Sequence, residues 1–427
     1  MACRRTAGRA RDRPGIPLPE GSGSFFRRCP LHPERIRPHG RTGVGGPHAF
    51  TRKTDRGETE LTAHTGIRIV TPGRTEWNAF VASSDYGHFM QTWEWGEFKS
   101  RIGWKPVRIA VEADGILRAG AQLLFRRPAA CIFSLAYMPK GPVLDIRDDA
   151  LTRPLFEAIH ETAGKHRAVF LKTEPDFANS GEIRGWMDVQ GFRPVRITNQ
   201  PRCTIVLDLK AEEQALLDNM DRNARRLIRR CENQGVRIEE GDRDRLDAFY
   251  AVMTRTARMK KIPLHRKRFF EKAFDTFSET GIPRLFLAMN DGEVVGALLI
   301  FAYGKTSSHL WGGTSEKGRK LSASYPLHWA AIRWARRNGF AHTDLWGIPD
   351  EIAEMAESGQ PIPADREDGL WGLYRFKKSF GGRILCYIGA YDYVYRPALY
   401  RLFTWINRKK KTFDELSEMI ERLTCAR

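Results

Sequence analysis

Apolar and polar residues alternate along two stretches that share one plan. Residues 106–125 (PVRIAVEADGILRAGAQLLF) read as a strand, an Asp114-Gly115 turn and a second apolar strand. Residues 284–301 (RLFLAMNDGEVVGALLIF) repeat this around Asp291-Gly292. Asp-Gly between alternating apolar runs is a strong hairpin signal. A third strand-like run follows each hairpin, at 132–138 and 307–312. Apolar residues then fall near helical spacing over 151–164 and 325–337. Short apolar strands at 169–171 and 343–346 close the units, ahead of Glu174-Pro175-Asp176 and Ile348-Pro349-Asp350. Strand, strand, strand, helix, strand therefore occurs twice, about 175 residues apart.

A mixed sheet with one crossover helix resembles the core of GNAT-type acyltransferases. The expectation is an α+β chain of two tandem GNAT-like domains, residues 66–210 and 211–400. A helical insertion is expected near 211–280 and a C-terminal helix over 401–427. The coenzyme A signature of that fold is Gln or Arg, two residues, Gly, one residue, then Gly or Ala, where free N–H groups at a helix start grip a diphosphate. The first unit has none. The second offers Arg319-Lys320-Leu321-Ser322-Ala323-Ser324, with serine in the glycine position. This favours an acyl donor other than acyl-coenzyme A.

Composition changes the picture in three ways. A hydrophobic fraction of 41% and a net charge of +19 over 427 residues exclude wholesale disorder and point to acidic partners. Residues 1–65 carry thirteen Lys and Arg against six Asp and Glu with almost no apolar periodicity. They read as a disordered basic extension, with a nucleic-acid-binding arm as the alternative. No apolar run reaches the ~18 residues of a membrane span. Seven cysteines without a CxxC pair fit reduced thiols in a cytoplasmic protein. No metal site is evident, and His265 reads as a loop histidine.

Four clusters carry candidate chemistry. The stretch 91–99 (QTWEWGEFK) reads as a helix with Trp95, Phe98 and Trp104 inward and Lys99 at its rim, either solvated or contacting an anion. Residues 212–234 read as one basic helix whose Arg222, Arg225, Arg226 and Arg229 share a face, a solvated stripe or a phosphate-backbone contact. The basic loop 259–268 could grip a diphosphate through bidentate guanidinium contacts. In 373–382 (LYRFKKSFGG) aromatic residues alternate with cations, suiting either a nucleobase stack with phosphate pairing or a core in which Tyr374, Phe376 and Phe380 are buried.

Six segments in order resemble the FemABX family over most of 68–400. They are TWEWGEFK (92–99), KGPVLD (140–145), ARRLIRRCENQGV (224–236), DLWGIPD (344–350), GLYRFKKSFGG (372–382) and YIGAYDYV (387–394). The family transfers amino acids from aminoacyl-tRNA to the stem peptide of peptidoglycan precursors. The resemblance implies that an amine of UDP-MurNAc-pentapeptide or lipid II attacks the activated ester, with no cofactor. It implies a diphosphate contact at Lys99 and Arg266, a proton acceptor at Glu174 and an oxyanion contact at Lys377. Phe376 would stack at the RNA acceptor end, Trp311 would line the pocket, and Arg225 and Arg229 would meet the tRNA. The long helical arm of some members is absent. A lipid-linked acceptor would bring the chain, expected as a monomer, to the inner membrane surface. Two rivals remain open, an acyl-coenzyme A N-acyltransferase acting on a small amine and a non-enzymatic RNA-binding protein.

Overall fold

A computed structural model describes residues 51–53, 59–61 and 66–406, apart from 129–130, 261–262 and 364. The basic extension expected over 1–65 lies outside these residues except for a two-stranded ribbon, β1 (Thr51–Lys53) with β2 (Thr59–Leu61). Residues 407–427 of the expected C-terminal helix also lie outside them.

The first unit runs β3 (Arg68–Val70), α1 (Arg74–Ser83), α2 (Trp93–Ser100), β4 (Lys105–Ala113), β5 (Ile116–Arg126), β6 (Ser134–Pro139), α3 (Asp149–Lys165), β7 (Ala168–Glu174) and α4 (Gly181–Val189). Strands β8 (Arg193–Val195) and β9 (Cys203–Asp208) lead to the second unit. There follow α5 (Glu213–Asp218), α6 (Arg222–Asn233), β10 (Arg237–Gly241), α7 (Leu246–Lys260), α8 (Lys267–Phe277), β11 (Pro283–Asn290), β12 (Glu293–Tyr303) and β13 (Thr306–Thr314). The chain continues through α9 (Glu316–Leu321), α10 (Ser324–Arg337), β14 (His342–Gly347), α11 (Glu351–Ser358), α12 (Trp371–Lys378), β15 (Arg383–Cys386), β16 (Ala390–Val394) and α13 (Pro397–Ile406).

The duplication is visible in fine detail. Asp114 and Gly115 adopt φ of 56° and 78°, and Asp291 and Gly292 adopt 50° and 76°, so both hairpins use turns with two positive φ values. Each hairpin carries a bulge at the same distance from its turn, between Val111 and Glu112 and between Ala288 and Met289. In each unit the third strand pairs in parallel with the strand after the crossover helix, β6 with β7 and β13 with β14. The two sheets have equivalent orders, β3-β4-β5-β6-β7-β16-β8 and β10-β11-β12-β13-β14-β9-β15.

Those orders also show an exchange. β9 leaves the first unit to pair between β14 and β15, and β16 leaves the second to pair between β7 and β8. β9, before the limit expected near residue 210, thus belongs to the second sheet, and β16, before the limit expected near residue 400, to the first. Where the crossing segments meet, Tyr387 N donates to Arg202 O at 2.7 Å. Cys203 and Cys386 face each other there and form a disulfide. That corrects the expectation that all thiols are free. A sequence separation of 183 gives no hint of the pairing, which the strand exchange creates.

A shared core lies between the sheets. Phe98, Leu124 and Phe170 from the first unit pack with Phe249, Phe270, Leu285 and Phe301 from the second. The crossover helices cover the opposite faces, Leu155 and Ile159 of α3 against Leu123 and Leu171, and Leu327 and Ala331 of α10 against Leu298 and Ile300. The basic helix expected over 212–234 is two helices instead. Met220 turns into the core at the break, and Asp221 N donates to Ser379 O at 2.9 Å.

Candidate functional site

β13 and β14 pair only over Thr306–Ser308 and His342–Asp344. β13 then stays with β12, while β14 is bulged against β9 between Asp344 and Gly347. Trp346 takes a left-handed φ of 66° in that bulge, which re-aims the backbone. Asp344 fixes the turn by accepting hydrogen bonds from the Thr204 hydroxyl and, at 2.6 Å, from Trp346 N. The carbonyls of Trp346 and Gly347 accept hydrogen bonds from Lys377 Nζ at 3.0 and 2.7 Å.

Lys377 is only 6% exposed. Burial pushes its ammonium down to about 7, against the pull of Asp344 and with help from Lys260. Phe376 beside it meets Tyr325 and His328 edge-on, both at 5.0 Å. His328 Nδ1 lies 2.9 Å from His309 Nδ1. Burial, with the Lys377 charge, pushes His309 well below the usual histidine range and His328 down to about 3. His309 Nε2, buried where β13 and β14 part, has no hydrogen-bond partner among the described residues.

Thr92 starts α2 by accepting a hydrogen bond from Trp95 N at 3.2 Å, so Trp95 and Phe98 turn inward as the spacing predicts. Lys99 follows on the next turn. It is 8% exposed, with Nζ 5.3 Å from the Trp95 ring centre, in a low-dielectric aromatic setting rather than in open solvent. Phe98 packs edge-on against Phe269 of α8 at 5.0 Å, and exposed Arg266 caps that same helix. The structure therefore brings Lys99 and Arg266 into one neighbourhood. Trp311 joins them, 5.9 Å from Phe269 and 5.7 Å from Phe301. From Phe301 the rings continue to Phe89 at 5.0 Å and on to Trp346 at 6.2 Å. An aromatic wall thus runs from Lys99 and Arg266 to the carbonyls that hold Lys377.

Glu174 ends β7 fully buried. Its Oε1 accepts from Asn199 N at 2.6 Å and Gln200 N at 3.0 Å, and its Oε2 from the Tyr137 hydroxyl at 2.5 Å. Burial raises its pKa above the ordinary carboxylate value, although these hydrogen bonds and Lys172 oppose the shift. Two residues on, Asp176 pairs with buried Lys140 at 3.0 Å. Burial would raise Asp176, but the Lys140 charge and hydrogen bonds from Lys140 and Tyr387 outweigh it and hold the carboxylate low. Lys140 Nζ also lies 3.5 Å from the centre of the Tyr387 ring and 5.9 Å from that of Trp346. This cluster links the end of β7 to the β14 bulge.

The arginines of α6 divide. Arg225 turns back onto the α5 end, donating to Asp218 O at 3.2 Å, whereas Arg229 is exposed with Arg222, Arg226 and Arg230. Those four, not Arg225, form the outward positive face. At 373–382 the buried alternative holds in part: Tyr374 and Phe380 enter the core and Phe376 is half-buried. His265 stacks on Phe269 at 4.0 Å.

Sequence reading missed Lys140, Asp176, Asp344, His88, His309 and His328. The first three lie within KGPVLD, the Glu174-Pro175-Asp176 turn and DLWGIPD, so the sequence reading held them without giving them roles. The histidines carry no spacing signal: packing of α10 on β13 joins His328 to His309, and His88 reaches Trp346 from the first unit. The loop that would hold coenzyme A is also occupied by the chain itself. Ser322 N donates to Arg319 O, Ala323 N to Gly318 O and Tyr325 N to Ser322 O, and residue 326 is proline.

Two splayed α+β units around a buried lysine define a tandem GNAT-like protein. A family model described as FemAB family matches residues 73–181, and one described as Acetyltransferase (GNAT) domain matches 218–353. Lipid II:glycine glycyltransferases of Staphylococcus aureus strains MRSA252 and USA300 are each 24% identical to this chain over 424 residues, spanning 81% of it and 98% of themselves. A crystal structure of FemX superposes with a TM-score of 0.70 at 22% identity, covering 78% of this chain and 99% of that one, which shows the same fold. The chain is thus similar to the FemAB family in its first unit, to a GNAT domain in its second, and to FemX in overall fold.

Proposed function

We propose that this chain is a cytoplasmic aminoacyltransferase that moves an amino acid from aminoacyl-tRNA to the stem-peptide amine of a peptidoglycan precursor, UDP-MurNAc-pentapeptide or lipid II. The observation that carries this reading is the buried Lys377 ammonium, held by the Trp346 and Gly347 carbonyls where β13 and β14 part. A cation there can meet the oxyanion that develops as the ester carbonyl is attacked, in a low-dielectric setting where it acts strongly. The names of the relatives support the precursor class, and the net charge of +19 suits two anionic substrates.

In the proposed step the amine nitrogen bonds to the ester carbon and the carbon–oxygen bond to the terminal ribose breaks. The amine proton passes to Glu174, whose raised pKa suits an acceptor, and Glu174 returns it to the departing ribose oxygen, which leaves as the hydroxyl. Lys99 and Arg266 hold the diphosphate, Trp311 lines the pocket, and Phe376 stacks at the RNA acceptor end. Exposed Arg229 and its neighbours attract the RNA backbone; Arg225 contributes only charge at longer range.

The test is a mixture of charged tRNAs with labelled UDP-MurNAc-pentapeptide or lipid II, followed by product mass. An added aminoacyl residue supports the reading, and its absence with every charged tRNA rejects it. The coenzyme A alternative is disfavoured because N–H groups that would grip the donor diphosphate bond within the chain. Acetyl-coenzyme A turnover without tRNA would revive it.

A further inference from the structure

Helix α13 is apolar on two faces. Leu399, Tyr400 and Phe403 pack inward, with Tyr400 and Phe403 5.2 and 5.1 Å from Phe170. Ala398, Leu402 and Trp405, four and three residues apart, share the other face, where Leu402 is 52% and Trp405 64% exposed. Alongside lies the turn before β6, with Ile132 59% exposed and Phe133 stacked 4.7 Å from the Arg396 guanidinium. An apolar patch of this make-up needs a cover.

The rim of the patch is basic. Arg396 N donates to Val169 O and Ser134 N to Arg167 O, so these arginines share one end of the first sheet. Lys105 and Arg127 act together on His166 at that end, and Arg401 flanks the outer face of α13. None of Lys105, Arg127, Arg167, Arg396 or Arg401 pairs with a carboxylate among the described residues.

We propose that this face, centred on Trp405, Leu402 and Ile132, docks the protein on the surface of an anionic lipid bilayer. Aliphatic and indole groups would enter the headgroup boundary while the surrounding cations meet lipid phosphates. Charge complementarity selects this occupant, since a second copy would bring its own cations against the same rim. The location also fits the proposed acceptor. Trp104 N donates to Lys99 O at 3.0 Å, and Arg126, next to Arg127, lies 5.5 Å from the Trp104 ring. A lipid-linked diphosphate held at Lys99 would then be at the membrane-facing end, a link that rests on the function proposed above.

The test is co-sedimentation of the full chain with vesicles of phosphatidylcholine alone or mixed equally with phosphatidylglycerol, without substrate. Binding to mixed vesicles that weakens with salt is expected. Joint Leu402→Ser and Trp405→Ser substitution should lower partitioning about tenfold. Joint Arg127→Glu and Arg401→Glu should remove the preference for the anionic lipid. The proposal fails if the serine variant binds like the parent or if the parent binds both vesicles equally. It also fails if the parent stays in solution as a dimer that the serine variant dissolves. Loss of RNA affinity in the glutamate variant with unchanged vesicle binding would overturn it too. Because no substrate is present, a negative result leaves the proposed reaction standing, and a failed transfer assay leaves this surface standing.

Discussion

Lys377 Nζ donates to the Gly347 carbonyl across 2.7 Å, tying α12 to the bulged end of β14. Both partners lie in the second unit, but the bulge that presents the carbonyl is braced by Thr204 on the strand that arrives from the first. Any change that loosens the strand exchange therefore reaches the lysine.

Replacing Lys377 with alanine should lower turnover by roughly two to three orders of magnitude, the usual effect of losing an oxyanion donor. Binding of both substrates should persist. Single-turnover kinetics with saturating aminoacyl-tRNA would check this, and near-normal turnover would remove Lys377 from the mechanism.

The pH dependence follows from the depressed lysine. If the ammonium is the working form, kcat/KM should fall as pH rises through about 7, where the free protein releases that proton. Lys377→Arg should abolish this limb. Stability runs the other way. The folded lysine titrates near 7 and the unfolded one near 10.5, so between these values the unfolded chain holds the extra proton and stability rises with pH. The penalty is fully present below pH 7. Denaturant titrations of Lys377→Met should lack the rise.

Lys99→Ala should weaken binding of the sugar-nucleotide acceptor while leaving RNA binding intact, and Arg266→Ala should do the same. Because both residues are proposed to meet one diphosphate, the double variant should lose less than the two single losses combined. Calorimetric titration of the four proteins tests this; additive losses, or loss of RNA binding instead, would contradict the assignment.

Glu174→Gln keeps the size of the side chain but not the basicity. Turnover should drop by about two orders of magnitude or more if the carboxylate takes the amine proton. An unchanged rate would leave Glu174 as a brace for Tyr137 and the 199–200 backbone.

Lys140→Met removes a 2% exposed cation and strands Asp176. Breaking a buried pair costs about 3 kcal/mol, and the 22% exposure of Asp176 places this case toward the lower side. Adding Asp176→Leu should recover most of the loss. Thermal unfolding of the single and double variants tests the pair; equal midpoints for parent and Lys140→Met would show that it carries no stability.

Much of this protein is set locally and was readable without coordinates. Asp114-Gly115 and Asp291-Gly292 declare their hairpins because few residue pairs tolerate two positive φ values in succession. The inward turn of Trp95 and Phe98 follows from helical spacing, and the segments that resemble the FemABX family appear in order along the chain. What tertiary structure alone decided involves partners far apart in sequence. The reciprocal crossing of β9 and β16 brings Cys203 to Cys386, and chain packing brings Lys140 to Trp346 and His309 to His328. Periodicity encodes which face of an element is apolar, but not which distant element will cover it. The acidity of Lys377 likewise comes from burial and from Lys260, against the pull of Asp344, and no spacing within GLYRFKKSFGG contains that information.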